Sequence, residues 1–255
     1  MNSPRPGEIH VIPVPFPDEI APGDDLVEKL RVALGHQKLS LREGDVVVIK
    51  HKIISKAEGQ IVPLSGVRPS GAARSWAREC GTDARAVQLA LNESRRIVRK
   101  RKGVLITETR HGFVCANSGV DVSNVDGGES AALLPEDPDV SASRLRSGIT
   151  KSMGVSVAII ISDSFGRPWR EGLTEVAVGL AGMQPLLDYR GKRDPHGYQL
   201  HASFEAVADE LACAAGLVCG KLNRTPLCIV RGYSYPRGRG AARDLIRAAE
   251  HDLFR

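Results

Sequence analysis

Two aspartates in runs of small residues are the side chains best suited to chemistry in this sequence. Asp163 lies between Ser162 and Ser164, directly after a continuous apolar run, and Asp121 lies three residues before Asn124 in an Asn- and Asp-rich stretch. Carboxylate, hydroxyl and amide oxygens are hard ligands that suit Mg²⁺ or Mn²⁺. We therefore expect both aspartates to bind a divalent ion; for Asp121 the alternative is an ordinary turn.

Basic residues close to these carboxylates in sequence could hold phosphate groups. Lys56 follows Ser55 in the stretch ISKAEG, and the segment after Asp163 mixes cations, carboxylates and glycines. Lysine and arginine bind phosphate through charge-assisted hydrogen bonds. The alternatives are a solvated loop with surface ion pairs and, around Lys56, a basic edge strand. The basic residues of the segment after Asp163 are Arg167, Arg170, Arg190, Lys192 and Arg193.

Several familiar catalytic and nucleotide-binding motifs are absent from the sequence. The nearest approach to a P-loop is at Gly220 and Lys221, but Ala215 stands where its first glycine belongs and Leu222 stands where its hydroxyl residue belongs. There is also no G-x-S-x-G elbow, no H-E-x-x-H pair and no Rossmann glycine pattern. Metal-assisted chemistry on a polyphosphate, carried by separated aspartates and lysines, is what remains.

Two apolar runs are predicted to position these residues. Residues 155–161 are rich in β-branched residues and too short for a lone helix, so they predict a buried strand. Gly166 and Pro168 then predict a turn that leaves Asp163 in a loop at the end of the strand. The run VVVIKHK, residues 46–52, predicts a second buried strand that delivers His51 and Lys56.

The rest of the chain alternates predicted helices and strands. A first strand, 8–14, leads into a proline-rich loop that extends to Pro22, and an acidic turn at Asp24 and Asp25 begins a helix that ends near Gly35. Residues 62–80 are expected to be irregular. Further predicted elements are a helix over 83–98, a hairpin of 104–107 with 111–115, a helix over 141–153, a helix over 203–219 capped by Gly220, a strand over 227–231, a glycine- and arginine-rich loop over 232–240, and a final helix to Arg255.

Composition sets broad limits on the class of protein. The chain has 255 residues, of which 42% are hydrophobic and 25% charged, as in an ordinary globular protein. No apolar run is long enough to span a bilayer and the N-terminus lacks the pattern of a secretory signal, so we expect a cytoplasmic protein without a membrane segment. The five cysteines are odd in number and are expected to be buried free thiols.

The net charge of +5 is concentrated locally, since residues 95–102 contain six lysines and arginines. With only 4% aromatic residues and no helix-turn-helix or RNA-binding signature, the sequence does not favour a nucleic-acid partner. A solvated helix end or an attractor for a small anionic substrate is the interpretation that the pattern favours.

A set of longer motifs resembles a known family. These are, in order along the chain, KIISKAEG, HGFVCANSGVDVSNV, ISDSFGRPWREG, DYRGKRDPHGYQL, EAVADELA and CIVRG, and the resemblance as a whole runs from about Glu8 to Arg255. Together they resemble the coenzyme F420-0:γ-glutamyl ligase family. The resemblance implies an α+β fold with mixed sheets and packed helices, neither P-loop nor ATP-grasp, in one catalytic unit of residues 1–255 or in two intertwined subdomains. It also implies a homodimer, the substrates GTP, coenzyme F420-0 and L-glutamate, two Mg²⁺ or Mn²⁺ ions, and K⁺.

The resemblance assigns roles to individual residues. Asp121 and Asp163 are similar to ligands of the first metal ion, and Ser164 to a ligand of the second, where many relatives have threonine. The residues similar to GTP contacts are Pro17, Asp18, Glu19, Ile20, Lys56 and Asn124, with His51 and Lys221 as further candidates. Four arginines are expected to bind the phosphodiester and the tail carboxylates of coenzyme F420-0, the deazaflavin substrate: Arg167, Arg170, Arg190 and Arg193.

Three departures from the family pattern stand out. His51 occupies a position where relatives commonly have a serine that contacts the nucleotide. Segment 219–226, CGKLNRTP, lacks the acidic and glutamine residues that archaeal relatives place near the second metal, and it resembles the bacterial branch. Bacterial relatives often carry a flavin-dependent reductase domain after this point, and this sequence carries none.

The implied reaction is chemically consistent with the residues. A carboxylate is a poor acyl donor, so it must first accept the γ-phosphoryl group of GTP to give an acyl phosphate that the amine of glutamate attacks. Positioning and electrostatics carry such a reaction, and no protein nucleophile is needed. Two alternatives stay open at this point: a related ligase for another acid, and a metal- and GTP-binding protein without catalysis.

Overall fold

The computed structural model describes residues 7–101, 103–123 and 125–252 of the chain. Its strands are β1 (His10–Val14), β2 (Val46–Lys50), β3 (Ile61–Pro63), β4 (Ser94–Arg101), β5 (Val104–Thr109), β6 (Val114–Ala116), β7 (Ser130–Ala132), β8 (Ala158–Arg167), β9 (Arg170–Ala181), β10 (Leu187–Asp188), β11 (Phe204–Glu205) and β12 (Leu227–Arg231). Its helices are α1 (Leu26–His36), α2 (His51–Ala57), α3 (Gly71–Cys80), α4 (Ala84–Asn92), α5 (Pro138–Met153) and α6 (Val207–Cys219). This mixed architecture confirms the predicted α+β fold, and its division into one unit or two subdomains stays a prediction.

A five-stranded sheet in the order β1-β12-β2-β8-β9 forms the centre of the fold. Strands β2 and β8 run parallel, with Lys50 opposite Ser162, whereas the other neighbours are antiparallel. Because β2 and β8 are parallel, their carboxyl ends meet at one edge of the sheet. Because β2 ends at Lys50 opposite Ser162 while β8 continues to Arg167, the residues that follow β2 lie beside Asp163 and Ser164 in the middle of β8.

The hydrophobic core lies on both faces of this sheet. On one face, Ile159 and Ile161 of β8 pack with Leu30 of α1 and Ile149 of α5. On the other face, Ala158 and Ile160 alternate with them and pack against α6. This period of two explains why the strands β2 and β8 read as unbroken apolar runs: both of their faces are buried.

Smaller sheets complete the fold. Strands β4, β5 and β6 form an antiparallel sheet, and β3 pairs with β7. The predicted hairpin is confirmed as β5 and β6. Helices α3 and α4 pack together through Trp76, Val87 and Ala90. None of the helices within the described ranges is long and apolar enough to cross a bilayer.

The single helix predicted over 83–98 is wrong. Helix α4 ends at Asn92, and Ser94–Arg101 forms strand β4, which pairs with β5. The apolar spacing of Leu89, Ala90 and Ile97 fits a helical period, but pairing with β5 decides the conformation, and Lys100 lies 4.2 Å from the ring centroid of Trp76. Tertiary pairing thus overrides the local period here.

The irregular structure predicted over 62–80 is wrong for residues 71–80, which form helix α3. Ser70 accepts a hydrogen bond from the backbone N–H of Ala73 and begins α3, and Gly81 ends it with a φ of 65°. A serine N-cap followed by a C-terminal glycine is a helix signal that the sequence contains. The buried Trp76 provides the apolar contact that holds this helix in place.

The predicted loop around Asp163 is instead part of a long hairpin. Strand β8 continues to Arg167, and the chain turns at Pro168 and Trp169 into β9, so Asp163 lies within the sheet. Strand β2 stops at Lys50 rather than at Lys52, because α2 begins at His51. Pairing with β9 supplies the hydrogen bonds that keep β8 extended beyond its apolar part.

The final helix predicted to extend to Arg255 is wrong over its described part, and residues 253–255 lie outside the described residues. Only two 3₁₀ turns occur, Ala242–Leu245 and Ala249–His251. The segment offers little apolar surface for a helix to bury, since Arg243, Asp244 and Arg247 are exposed. Other predicted elements are confirmed with shifted ends: α5 begins at Pro138, and α6 begins at Val207 and is capped by Gly220.

The five cysteines are free thiols, as predicted. Cys115, Cys219 and Cys228 are buried, whereas Cys80 and Cys213 are half-buried. Burial raises the pKa of Cys115 to about 12, which keeps this thiol neutral and unreactive at physiological pH.

Candidate active site

A cavity of about 430 Å³ lies at the carboxyl end of β2, beside Asp163 and Ser164 in the middle of β8. Its volume is in the range of small-molecule sites. Five parts of the chain enclose it: the proline-rich loop after β1, the junction of β2 with α2, the middle of β8, the Asp121 stretch, and the loop after α6. The lining residues are 16–20, 50–53, Lys56, Asp121, Asp163, Ser164 and 219–226.

The structure brings together the two aspartates predicted to bind metal, since both line this cavity. Asp163 Oδ1 accepts a hydrogen bond from its neighbour's backbone, Ser164 N, at 2.7 Å, and lies 3.4 Å from His51 Nε2. Asp121 Oδ2 lies 2.7 Å from Lys52 Nζ, and its Oδ1 accepts from Ser123 N at 2.7 Å. Burial opposes ionisation of Asp121, but the bonds from Lys52 and Ser123 outweigh it and hold its pKa below the ordinary value. Asp121 is therefore held as a carboxylate.

Lysines surround the same cavity. Lys56 Nζ lies 3.0 Å from Glu19 Oε2, which joins the loop of residues 17–20 to helix α2, as expected if both contact one ligand. The hydrogen bond from Lys56 is the largest cause of the lowered pKa of Glu19. Lys221 Nζ donates to Ser164 Oγ at 2.8 Å. These lysines give the cavity a cationic rim that suits a phosphate-bearing ligand.

Glu175 is a residue of this site that the sequence reasoning missed. It lies opposite Ser164 on β9, and its side chain is 8% exposed. Ser162 Oγ donates to Glu175 Oε2 at 2.9 Å, Ser164 Oγ donates to Oε1 at 2.6 Å, and Lys50 Nζ lies 2.5 Å from Oε1. Burial raises the pKa of this carboxyl, but the bonds from Lys50 and the two serines lower it by more.

Helix α6 passes close to the side chain of Glu175 at Gly216. A Cβ atom at Gly216 would lie 2.6 Å from Glu175 Cγ, so only glycine lets the helix pass over this side chain. The signal in the sequence is the lone acidic residue in TEVAVGLA, a stretch that otherwise reads as a buried strand. Its detection required predicting β9 as a strand.

The four arginines predicted to bind the deazaflavin substrate are not among the residues that line this cavity. Arg190 forms a two-pronged ion pair with Asp188, with its guanidinium carbon 4.6 Å from the ring centroid of Phe204. Arg167 donates to Glu171 O and Arg193 to Gly197 O. The assignment of these three residues, and of Arg170, to substrate binding stays a prediction. Asn124 lies outside the described residues.

The donor atoms on the cavity wall fit divalent ions that share their ligands with a substrate. Within residues 7–101, 103–123 and 125–252 no group of three His, Cys, Asp or Glu side chains could hold a metal by itself. Asp121, Asp163 and Ser164 supply oxygen donors, and Mg²⁺ commonly takes one or two carboxylates and completes its shell with phosphate oxygens and water. A buried, unpartnered nitrogen, His51 Nε2, lies next to Asp163. Burial is the main cause of the lowered pKa of His51, which favours the neutral imidazole.

The fold and the cavity define an α+β protein whose separated carboxylates and lysines form one site without a P-loop. The model of the F420-0:gamma-glutamyl ligase family matches residues 17–232 of the chain. The chain therefore belongs to the F420-0:gamma-glutamyl ligase family, and the resemblance seen in its motifs is confirmed.

Relatives match almost the whole chain. A coenzyme F420:L-glutamate ligase from Methanothermobacter thermautotrophicus is 44% identical over 239 residues, covering 92% of this chain and 94% of the relative. The protein of the same name from Methanocaldococcus jannaschii is 44% identical over 216 residues, covering 84% and 86%. That from Methanopyrus kandleri is 42% identical over 252 residues, covering 97% and 98%. The bacterial character of segment 219–226 stays a prediction.

Proposed function

We propose that this protein is a GTP-dependent ligase that joins L-glutamate to coenzyme F420-0 through an acyl phosphate. Relatives named coenzyme F420:L-glutamate ligase, matched over almost the whole chain, support the substrate class. The observation that carries the proposal within the molecule is the cavity in which Asp121 and Asp163 face several lysines. The proposal includes the homodimer and the potassium ion that the resemblance implies.

The reaction has two steps that balance without a protein nucleophile. An oxygen of the substrate carboxylate attacks the γ-phosphorus of GTP, and GDP leaves. The amine nitrogen of glutamate then attacks the acyl carbon, phosphate leaves with one of the former carboxylate oxygens, and the ammonium proton is released. Such transfers depend on alignment and on stabilising charge that spreads over the phosphoryl oxygens.

The residues of the cavity have distinct tasks in this proposal. Lys56 binds the nucleotide phosphates, and it exchanges part of its contact with Glu19 for them. Lys221 holds Ser164 at the wall and adds a second positive charge. Pro17, Asp18 and Ile20 shape the loop that meets the nucleotide, and a proline-rich loop loses little conformational freedom when it binds.

Asp121, Asp163 and Ser164 would hold the two divalent ions. These ions, when bound, neutralise the charge that develops on the phosphates. The chain prepares the two carboxylates in different ways: Lys52 and the backbone of Ser123 fix Asp121, while the backbone of Ser164 fixes Asp163. Both aspartates are thereby oriented before any ligand arrives, which lowers the cost of binding.

Mass spectrometry of the products tests the proposal. Purified protein is incubated with F420-0, GTP, Mn²⁺ and L-glutamate, and we expect a product heavier by one or more glutamyl residues, with one GDP and one phosphate released for each. Reactions with ATP, with L-aspartate or without the deazaflavin serve as controls. GTP binding without turnover would show a non-catalytic binder, and GTP cleavage coupled only to another acid would show a ligase of different specificity.

A further inference from the structure

The hydrogen bonds around His51 determine which of its ring nitrogens carries the proton. Ser55 Oγ lies 2.6 Å from Leu133 O, and because a carbonyl only accepts, the single hydroxyl proton of Ser55 is used in that bond. Ser55 Oγ must then act as the acceptor in its longer contact with His51 Nδ1, at 3.4 Å. Nδ1 therefore carries the proton, and Nε2 presents a lone pair.

This lone pair faces another acceptor. His51 Nε2 is buried and has no hydrogen-bond partner among the described residues, and Asp163 Oδ1 lies 3.4 Å away. The ammonium group of Lys52 does not donate to His51 Nε2, because its Nζ contacts Asp121 and the carbonyl and hydroxyl oxygens of Ser123. A buried acceptor without a partner costs free energy, and a cation bound between His51 and Asp163 would remove that cost.

We propose that His51 Nε2 and Asp163 Oδ1 are adjacent ligands of one divalent ion, with His51 supplying a nitrogen donor. This rests on the proposed function, which places a metal ion at Asp163. Two donors that each bind an ion at about 2.1 Å, roughly at right angles, are about 3.0 Å apart, close to the separation found here. His51 itself is 2% exposed, so its ring is fixed in this orientation.

A nitrogen ligand changes which ions the site prefers. Imidazole is a ligand of first-row transition ions, among which Mn²⁺ binds it most weakly, whereas Mg²⁺ is bound through oxygen. We therefore expect this protein to prefer Mn²⁺ over Mg²⁺ more strongly than a variant with serine at position 51. Since no group of three His, Cys, Asp or Glu side chains in the described part of the chain could hold the ion by itself, phosphate oxygens and water would complete its shell.

Pulsed electron paramagnetic resonance of bound Mn²⁺ tests this directly. The full chain is loaded with Mn²⁺ and GDP, and we expect a ¹⁴N coupling that changes to a ¹⁵N coupling when the protein carries ¹⁵N-labelled histidine. The coupling should disappear in His51→Ser and persist in His36→Ser, which removes a histidine at the end of α1. Mn²⁺ affinity, measured by titration, should fall at least about tenfold in His51→Ser, with a smaller change for Mg²⁺.

The outcomes separate this inference from the proposed function. Mn²⁺ that binds without histidine nitrogen coupling overturns the role of His51 and leaves a metal at Asp163 intact. Coupling that survives in His51→Ser assigns the nitrogen to another histidine and also overturns the inference. Absence of Mn²⁺ binding in the presence of nucleotide overturns the inference together with the metal part of the proposed function. The labelled wild-type protein decides the question even where a variant fails to fold.

Discussion

Replacing Glu175 by glutamine removes the negative charge beneath the cavity while keeping the shape of the side chain. The amide cannot accept from Ser162, Ser164 and Lys50 at once, because its NH₂ group only donates. The ammonium group of Lys50 then lacks its counter-ion in a largely buried place. We expect lower stability and a displaced Ser164 and Lys50, both of which contact or line the proposed nucleotide site.

The size of the effect follows from burial. Removing one partner of a fully buried ion pair costs about 3–5 kcal/mol. The Lys50 side chain is 22% exposed, so water recovers part of its hydration, and we expect a loss of about 2–3 kcal/mol in the free energy of unfolding. For a chain of this length such a loss lowers Tm by roughly 4–12 °C.

The matched control is Glu171→Gln, an exposed glutamate on the same strand, which should change the free energy of unfolding by less than about 0.5 kcal/mol. Urea unfolding of both variants measures the difference, and steady-state kinetics shows whether the KM for GTP rises in Glu175→Gln alone. Equal stability of the two variants, with an unchanged KM for GTP, would refute the argument that Glu175 holds Lys50 and Ser164.

The sign of the pH dependence adds an independent check. The pKa of Glu175 is lowered in the folded state, because the bonds from Lys50 and the serines outweigh burial. Its contribution to stability is therefore fully present above the ordinary range of a glutamate carboxyl, and it is lost as the pH falls through the lower folded value. We expect the stability difference between wild type and Glu175→Gln to shrink on acidification. A difference that grows as the pH falls would contradict the charge assignment.

Four further predictions concern single residues. Asp163→Asn and Asp121→Asn should each abolish ligation while circular dichroism shows an intact fold; near-wild-type turnover at limiting Mn²⁺ would contradict the metal assignment. Lys56→Ala should raise the KM for GTP roughly 10–100-fold, as expected for a lost charged hydrogen bond, whereas Lys29→Ala, which removes a surface lysine paired with Asp24, should not. Neutralising Arg190 or Arg193 should raise the KM for the deazaflavin or shift the number of glutamates added, and a selective loss of GTP affinity would reassign them to the nucleotide. Asp45→Asn should destabilise the protein by about 3–5 kcal/mol in urea unfolding, because it removes the partner of the buried Arg231; a loss below about 1 kcal/mol would contradict this.

The residues of the candidate site could be found from the sequence more readily than the conformation of the backbone around them. One cavity is lined by Asp121, Asp163, Lys56 and Glu19. Such residues could be found from the sequence because charged and polar residues that follow an apolar run form a local pattern. The conformation of residues 94–101 was not visible, because it depends on pairing with β5, which is a contact between segments. Helix α3 was missed although its serine N-cap and its C-terminal glycine are local signals.

Glu175 was missed for a related physical reason. In the sequence it is one acidic residue in a strand that was not predicted, and its importance arises only when β9 folds back on β8 and places it opposite Ser164. His51 is visible in the sequence as a departure from the family pattern. Its role as a candidate ligand depends on its tautomer, which follows from the hydrogen bond that Ser55 Oγ donates to Leu133 O. Neither property is encoded in a motif, since both arise from distances between segments.

The register of β8 with β2 and β9 explains how one strand contacts both Glu175 and His51. Successive side chains of a strand point to opposite faces. Ser162 and Ser164 therefore share the face of Glu175 and helix α6, while Asp163 points to the opposite face, toward His51.

The parallel pairing of Lys50 with Ser162 places the ammonium group of Lys50 on the face of Glu175. The next residue, His51, then begins α2 beside Asp163. A slip of one residue would exchange these faces, turn Asp163 toward Glu175 and α6, and remove it from His51. The buried apolar residues before Ser162 prevent that slip, because it would also reverse the side chains of Ile159 and Ile161 in the core. The buried apolar half of β8 thus fixes the orientation of the Asp163 carboxylate, five residues before the turn at Pro168.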